Sequence, residues 1–186
     1  STSRPTATPT AIGATPSASP SPGATATVAP APTPAPPAGP VATIPGDCTG
    51  LYSEAMFAEL SAASTELNPP DFKTVAERIT SPEVAAVLTS LTPGISCHWR
   101  QNFHSGIGTV VSVIDPATAA GVEGMLAAAG YTPMSEPWGT RWTIEFSDEY
   151  ERGESHTFVG GVWFATAWLS YAPNGYTADM VATIVH

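Results

Sequence analysis

Apolar residues recur every three to four positions in the region that follows residue 46, which is the spacing of one helix face. This spacing predicts three helices, at about 51–67, 72–79 and 81–91. Ser81-Pro82-Glu83 starts the third of them with an N-cap residue, a proline at the first helical position and an early acid. The first half of this region is therefore predicted to be helical.

The spacing changes to two after Gly94, which is the period of a strand. Cys97, Trp99 and Gln101 alternate with polar residues, and a β-branched run follows at 109–114. The remaining predicted elements are a helix that Asp115-Pro116 begins and Gly130 ends, strands at about 141–146 and 156–171, and a final helix from Tyr176. The element order is thus α-α-α, then ββα twice. We predict an α+β fold with a four-stranded, mostly antiparallel sheet and helices packed on it.

Residues 1–46 have a different composition from the rest of the chain. They contain 12 of the 20 prolines, are otherwise rich in Thr, Ala and Ser, and carry a single charge, Arg4. With almost no apolar residues to bury, such a segment cannot compensate for its loss of conformational entropy on ordering. We predict a disordered stalk at 1–46 and a single domain at 47–186. The stalk composition suits O-glycosylated display, and a plain interdomain linker is the alternative.

The charge of the chain excludes several classes of partner. Lys and Arg total 6 against 16 Asp and Glu, and removing Arg4 leaves the domain at 5 − 16 = −11. Nucleic-acid binding requires clustered cations, and docking on an anionic membrane requires them too. No apolar run approaches 18 residues, so we expect no transmembrane segment.

The two cysteines, Cys48 and Cys97, are predicted to form a disulfide. Their spacing is not that of a zinc site, and two buried thiols in a cytosolic protein are the alternative. With the stalk, the disulfide predicts an extracytoplasmic protein, secreted or attached to the cell envelope. The sequence begins Ser1-Thr2-Ser3-Arg4 without a signal peptide, as expected of a mature form or of a lipoprotein whose modified cysteine precedes Ser1.

No pattern in the sequence identifies a reaction. His104-Ser105-Gly106 lacks the context of a nucleophile loop and is predicted to be a hairpin turn. The acids at 148–154 and the nearby His156 do not have the spacing of a calcium loop and are predicted to form a solvated hairpin tip. We therefore predict no catalytic residue, no metal site and no cofactor.

A binding surface is suggested by the predicted strand at 156–171, because both its faces are apolar while the other strands have one polar face. Aromatic residues among a few convergent polar groups are typical of a ligand site. The residues predicted to share such a face are His98, Arg100, Arg141, Glu145, Phe164 and Trp168. In the alternative, helices cover this face and the arginines pair with Glu145 or Glu136. A bulge at Gly160-Gly161 would exchange the faces of the downstream strand.

The outline of the chain resembles uncharacterised cell-envelope lipoproteins and secreted proteins of actinobacteria. The resemblance lies in the stalk, in Cys48 and the Cys97-x-Trp99 strand, and in Gly160-Gly161-Val162-Trp163 before a Thr/Ala/Val helix. It implies a small domain that binds a ligand or partner protein without catalysis, and it transfers no catalytic residue.

These observations favour an extracytoplasmic binding or accessory domain over an enzyme. Its partner would be an envelope ligand or protein, and an N-terminal lipid anchor and O-glycosylation of the tail are compatible with it. The alternative is an envelope hydrolase acting on glycan or peptidoglycan through a carboxylate pair. That pair would be Glu145 and an acid from 148–154.

Overall fold

The computed structural model describes residues 39–147 and 149–186. The predictions made for residues 1–38 and for Asp148 lie outside this part of the chain. The described residues form an α+β fold, and none of their helices is long and apolar enough to cross a membrane.

A 3-10 helix at Cys48–Leu51 precedes five α-helices. They are α1 (Glu54–Ala63), α2 (Val75–Arg78), α3 (Pro82–Ser90), α4 (Pro116–Ala128) and α5 (Tyr176–Ile184). The predicted starts of α3 and α4 are confirmed, since the Ser81 and Asp115 side chains accept hydrogen bonds from the first-turn amides. The first helix is shorter than predicted, because residues 66 and 67 pair as a strand instead.

Seven strands form one antiparallel sheet in the order β1-β2-β3-β7-β6-β5-β4. They are β1 (Glu66–Leu67), β2 (Pro93–Asn102), β3 (Ser105–Val113), β4 (Thr132–Glu136), β5 (Gly139–Ser147), β6 (Glu151–Val159) and β7 (Val162–Leu169). The β3–β7 pairing joins the two halves of the sheet at its centre.

The prediction of a four-stranded sheet is therefore wrong. The predicted strand at 156–171 is two strands, because Gly160 and Gly161 both have positive φ (63° and 77°) and turn the chain between Val159 and Val162. Two successive residues with positive φ are the requirement of a type I′ hairpin turn, which two glycines meet without strain. Strand β4 was missed because its five residues include a proline and are mostly exposed, so that they show no apolar alternation.

Helices cover both faces of the sheet. We call the face under α1 and α5 the front face and the face under α2, α3 and α4 the back face. Leu51, Leu60, Phe164 and Met180 belong to the buried cluster of the front face. Val84, Leu88, Val122, Leu126 and Trp163 belong to that of the back face. The centre of the sheet is thus the middle layer of three, which explains the doubly apolar sequence of β7.

The front cluster contains the predicted disulfide between Cys48 and Cys97. It closes a loop of 49 residues and ties the segment before α1 to β2. Both cysteines are buried, at 7% and 0% exposure. The segment before Cys48 also packs on the C-terminus of the domain, because Val41 exchanges backbone hydrogen bonds with His186 and Thr43 donates to Ile184.

Candidate functional site

Two clefts open where the helices stop covering the sheet, one on each face. Residues directly opposite each other on antiparallel strands share a face, so the strand register assigns each polar residue to a cleft. We call the cleft on the back face the basic cleft and the one on the front face the tryptophan cleft.

The floor of the basic cleft is a row of residues across five neighbouring strands, β2, β3, β7, β6 and β5. Arg100 of β2 lies opposite Gly106, Gly106 opposite Leu169, Leu169 opposite Arg152, and Arg152 opposite Phe146. This row places two arginines and one aromatic ring at the same level of the back face. It lies at the strand ends, beyond the cover of α3 and α4.

The wall of the basic cleft comes from α2 and the segment before it, with Phe72, Lys73 and Arg78. The cleft has a volume of about 490 Å³, which is in the range of small-molecule sites. Glycine at 106 makes room for the wall, because a Cβ there would lie 3.2 Å from the Phe72 ring. Phe103, at the tip of the β2–β3 hairpin, lines the rim with 88% of its surface exposed.

Arg78 is the most unusual cation of the basic cleft. Its guanidinium lies 4.0 Å from the centre of the Phe72 ring, and its buried Nε has no hydrogen-bond partner among the described residues. Burial lowers the pKa of Arg78, with a smaller opposing effect from Glu77. A buried cation without a fully hydrogen-bonded head group is costly, and an anion entering the cleft would remove that cost.

Arg100 and Arg152 are held differently. Arg100 forms ion pairs with Asp71 and Glu66, the latter at 3.5 Å. The guanidinium of Arg152 lies 4.4 Å from the centre of the Phe146 ring. Planar cations stacked on aromatic rings keep their hydrogen-bonding edges directed sideways, which suits them to bind carboxylate or phosphate oxygens.

The acids nearest the basic cleft are engaged in local structure. Glu77 accepts from the Thr74 amide and hydroxyl in the capping box of α2. Glu154 is 2% exposed and accepts from the Thr80 amide and hydroxyl and from the Tyr131 hydroxyl. Burial alone would raise the pKa of Glu154, but the nearby His156 ring and the hydrogen bonds from Thr80 and Tyr131 outweigh it and hold the pKa below its usual value. Glu77 and Glu154 thus stabilise the fold, and Asp71, the third acid that lines the cleft, pairs with Arg100.

A buried histidine, His156, and a partly buried one, His98, lie on the back face. His98 packs over Gly108 and against the Phe72 ring, and its Nδ1 has no partner in the described structure. Burial, with a smaller contribution from Arg78, lowers the pKa of His98 to about 4. His156 accepts from the Trp163 indole at Nδ1, and its Nε2 lies 3.7 Å from Glu154. Burial lowers its pKa against the effect of Glu154. Both histidines are neutral at pH 7.

The tryptophan cleft lies on the front face between β5, β6, β7 and the start of α5, with a volume of about 460 Å³. Trp138 and Trp168 line it, together with Arg141, Glu145 and Ser155. Arg141 donates from Nε to Glu136 at 3.0 Å, so the charge of this cation is already balanced. The first turn of α5 also lines the cleft, and no side chain caps it.

The six residues predicted to share one face are divided between the two faces. Arg141, Glu145, Phe164 and Trp168 do share the front face, in the rows Phe164–Thr157–Arg141 and Trp168–Gly153–Glu145. Phe164 is core, at 1% exposure, while Trp168 is partly exposed and lines both clefts.

The placement of His98 and Arg100 on that face is wrong, because both lie on the back face with Gly108 and Gly106 opposite them. The prediction aligned Trp99 with Trp142, but Trp99 belongs to the front cluster and Trp142 packs against the back one. Of the two predicted ion-pair partners of Arg141, Glu136 is the one observed. Whether these residues bind a ligand stays a prediction.

Several cleft residues escaped the sequence patterns: Phe72, Lys73, Arg78, Trp138, Phe146, Arg152 and Ser155. One signal could have found the basic cleft. The domain has only five Lys and Arg residues, so a place where several of them lie together is a candidate anion site. Their positions in sequence are far apart, however, so convergence depends on the register of the sheet.

The arrangement supports binding more readily than catalysis. Ser105 donates to Gln101 at 2.6 Å, which is consistent with the predicted hairpin and not with a nucleophile activated by histidine. Of the acids considered as a partner of Glu145, Glu154 is excluded, because the two lie on opposite faces and the Glu154 oxygens are occupied. Glu151 shares the front face with Glu145, so the carboxylate-pair alternative is restricted to acids other than Glu154. Within residues 39–147 and 149–186, no three His, Cys, Asp or Glu side chains are grouped as a metal site requires.

Comparison of the chain with protein-family models, with curated proteins and with solved structures found no match. The resemblance to actinobacterial envelope proteins stays a prediction.

Proposed function

We propose that this domain is a binding module for a small organic anion, which it holds in the basic cleft. One observation carries the proposal: four of the five Lys and Arg residues of the domain line this cleft, although 16 acids surround them in the sequence. Random placement on a domain of net charge −11 would spread the cations among the acids. The lining holds these four cations against three acids, Asp71, Glu77 and Glu154, so the cleft has a small positive balance in a protein that is negative overall.

The composition of the cleft indicates the kind of anion. Arginine recognises carboxylate and phosphate through paired hydrogen bonds, and Arg78 has a buried donor that lacks a partner in the described structure. Phe72, Phe103, Phe146 and Trp168 supply apolar surface beside the cations. A ligand with one anionic group and an aromatic or aliphatic body would use both features.

The surrounding acids limit the size of the ligand. At physiological ionic strength the field of a charge is screened beyond a Debye length of about 8 Å. A small anion would therefore respond mainly to the cleft cations, whereas a polyanion would extend over the acidic surface. This excludes nucleic acid and favours a small molecule.

The place of action that we propose is outside the cytoplasm. The disulfide between Cys48 and Cys97 is typical of oxidising compartments. A Pro/Thr/Ala-rich tail before the domain would display the cleft away from a wall or membrane.

The proposal is tested by pairs of ligands that differ only in charge. Aryl and alkyl carboxylates and phosphates are titrated into the full chain by isothermal calorimetry, each beside its neutral amide or alcohol. We expect saturable binding of at least one anion, and binding of its neutral partner at least about tenfold weaker, as the loss of one charge-assisted hydrogen bond requires. Arg78→Gln should abolish most of this difference.

Arg141→Gln is the matched control, because it removes the one cation of the domain that lies outside the basic cleft. It should leave anion binding unchanged. Equal weakening by Arg78→Gln and Arg141→Gln would refute a local site and indicate a general charge effect. Turnover of a glycan that Glu145→Gln abolishes would instead support the hydrolase alternative.

A further inference from the structure

The tryptophan cleft contains polar groups that the fold does not use. Ser155 is 3% exposed, yet its Oγ has no hydrogen-bond partner among the described residues, and the same is true of the buried Nε1 of Trp138. Both residues line the cleft. Buried polar atoms are nearly always hydrogen-bonded, so unpaired ones that border an open cleft indicate a ligand that supplies the missing partner.

Thr157, two residues along β6, also has an unpaired buried hydroxyl but does not line the cleft, whereas the residues across the sheet from Ser155 are hydrogen-bonded within the protein. Ser155 lies opposite Thr166 of β7, and the Thr166 hydroxyl is bonded to that of Thr109 at 2.8 Å. Thr109 in turn donates to the Tyr176 hydroxyl at 3.1 Å, and Tyr176 is bonded to Tyr52 at 2.7 Å. This buried chain of hydrogen-bonded hydroxyl groups does not include Ser155.

Aromatic surface is fixed beside these groups. The Trp168 ring covers Gly153, where a Cβ would lie 2.2 Å from the ring atom Cζ2. Trp168 and Trp138 are both partly buried against the front cluster. The absence of a side chain at Gly153 thus leaves room for the Trp168 indole, in the row that continues to Glu145.

The charges of the cleft do not favour an anion. Its one arginine, Arg141, is paired with Glu136, and Glu145 is exposed at the rim opposite Gly153. The polar groups that line the cleft therefore include both hydrogen-bond acceptors and donors. The acceptors are Glu145 and Asn174, and the donors are Trp138, Ser155 and the uncapped first turn of α5. A ligand that matches these groups must both donate and accept hydrogen bonds and must present an apolar face to an indole.

We propose that the tryptophan cleft binds a neutral sugar ring of a glycan, as a second site on the face opposite the basic cleft. The hydroxyl groups of a sugar donate and accept, so they can pair with Ser155, Trp138 and Glu145. The C–H face of the ring packs on an indole. This inference goes beyond anion binding in the basic cleft and does not depend on it.

The test uses neutral disaccharides of hexose and of N-acetylhexosamine as probes, titrated into the full chain and followed by tryptophan fluorescence and by calorimetry. We expect saturable binding of at least one probe. Trp138→Ala should weaken it roughly tenfold, by loss of a stacking surface and a donor, and Ser155→Ala about fivefold, by loss of one hydrogen bond.

Ser112→Ala is the matched control for Ser155→Ala. Ser112 is likewise fully buried with an unpaired hydroxyl in the described structure, but it lines neither cleft. It should leave sugar binding unchanged, as should Arg78→Gln in the basic cleft. If Trp138→Ala fails to fold by circular dichroism, Ser155→Ala and Glu145→Gln still test the site.

Three results would overturn the inference. They are the absence of saturable binding by any neutral disaccharide, equal binding by Ser155→Ala and the unmodified chain, and binding in this cleft of inorganic phosphate in preference to sugars. None of these results bears on anion binding in the basic cleft, which has its own variant in Arg78→Gln.

Discussion

The two clefts lie on opposite faces of the same sheet and differ in how their cations are paired. In the basic cleft, Arg100 is paired with Asp71 and Glu66, but the buried Nε of Arg78 has no partner in the described structure. In the tryptophan cleft, Arg141 is paired with Glu136 of the same hairpin. The difference shows that the electrostatic field of a cleft depends on how its charged residues are paired and not only on their number.

The interiors behind the two clefts differ in the side chains that they bury. The back face buries Glu154, His156 and Tyr131 and partly buries His98, while the front face buries Tyr52 and Tyr176 with the disulfide. Reduction of the disulfide and acidification should therefore act on different faces. The predictions below separate the two responses.

The largest effect is expected from reduction of the disulfide, which lies in the front cluster. Closing a loop of 49 residues stabilises the folded state by roughly 4 kcal/mol in the chain-entropy model. Reduction should lower the melting temperature by more than about 10 °C, as measured by differential scanning calorimetry. It should also change the fluorescence of Trp99 on the front face before that of Trp163 on the back face. Simultaneous loss of both signals would show that the faces unfold as one unit.

A smaller but still large effect is expected from Glu154→Gln on the back face. The carboxylate accepts hydrogen bonds from Thr80 and Tyr131 in a buried site, and breaking such a network typically costs about 3 kcal/mol. Urea denaturation at pH 7 measures this loss. Glu145→Gln is the matched control on the exposed side of the tryptophan cleft and should change stability by less than about 0.5 kcal/mol. Similar values for both variants would mean that the buried network contributes little.

The smallest effect concerns pH and distinguishes the faces directly. Burial lowers the pKa of His98 to about 4, whereas the unfolded chain binds this proton near pH 6.5. The unfolded state therefore binds more protons below pH 6.5, and the free energy of unfolding should fall as the pH drops from 6.5 toward 4. His98→Gln should make this dependence shallower in urea titrations at pH 7 and pH 5, and an unchanged slope would contradict it.

The buried tyrosines should respond at the other end of the pH scale, with Tyr52 and Tyr176 on the front face and Tyr131 on the back face. Burial raises the pKa of Tyr52 to about 12 from its ordinary 10.0 and also raises that of Tyr176. The unfolded chain then loses these protons first, so stability should fall only as the pH rises above about 10. Tyr52→Phe should reduce this alkaline loss and leave the acid branch unchanged.

The local elements of the protein were determined by short stretches of sequence. Ser81-Pro82 and Asp115-Pro116 start α3 and α4 as their cap chemistry predicts, and Cys48 and Cys97 form the predicted bond. These features depend on residues a few positions apart, or on the only pair available. The same local chemistry was present at Gly160-Gly161, where two adjacent glycines indicate a hairpin turn, but apolar residues on both sides concealed it.

The relation between distant strands was decided only by the tertiary structure. Alternation shows that His98 and Arg100 lie on the other side of β2 from Trp99, and that Arg141 and Glu145 lie on the other side of β5 from Trp142. It cannot show whether the polar side of β2 and the polar side of β5 are on the same face of the sheet. The β3–β7 and β6–β7 pairings determine which sides share a face. The first joins segments about 50 residues apart in sequence, and the second is connected by the turn at Gly160-Gly161. A change of one residue in either register would exchange the faces. The gathering of Arg78, Arg100 and Arg152 in one cleft follows from that register, since no periodicity links residues on a helix and two non-adjacent strands.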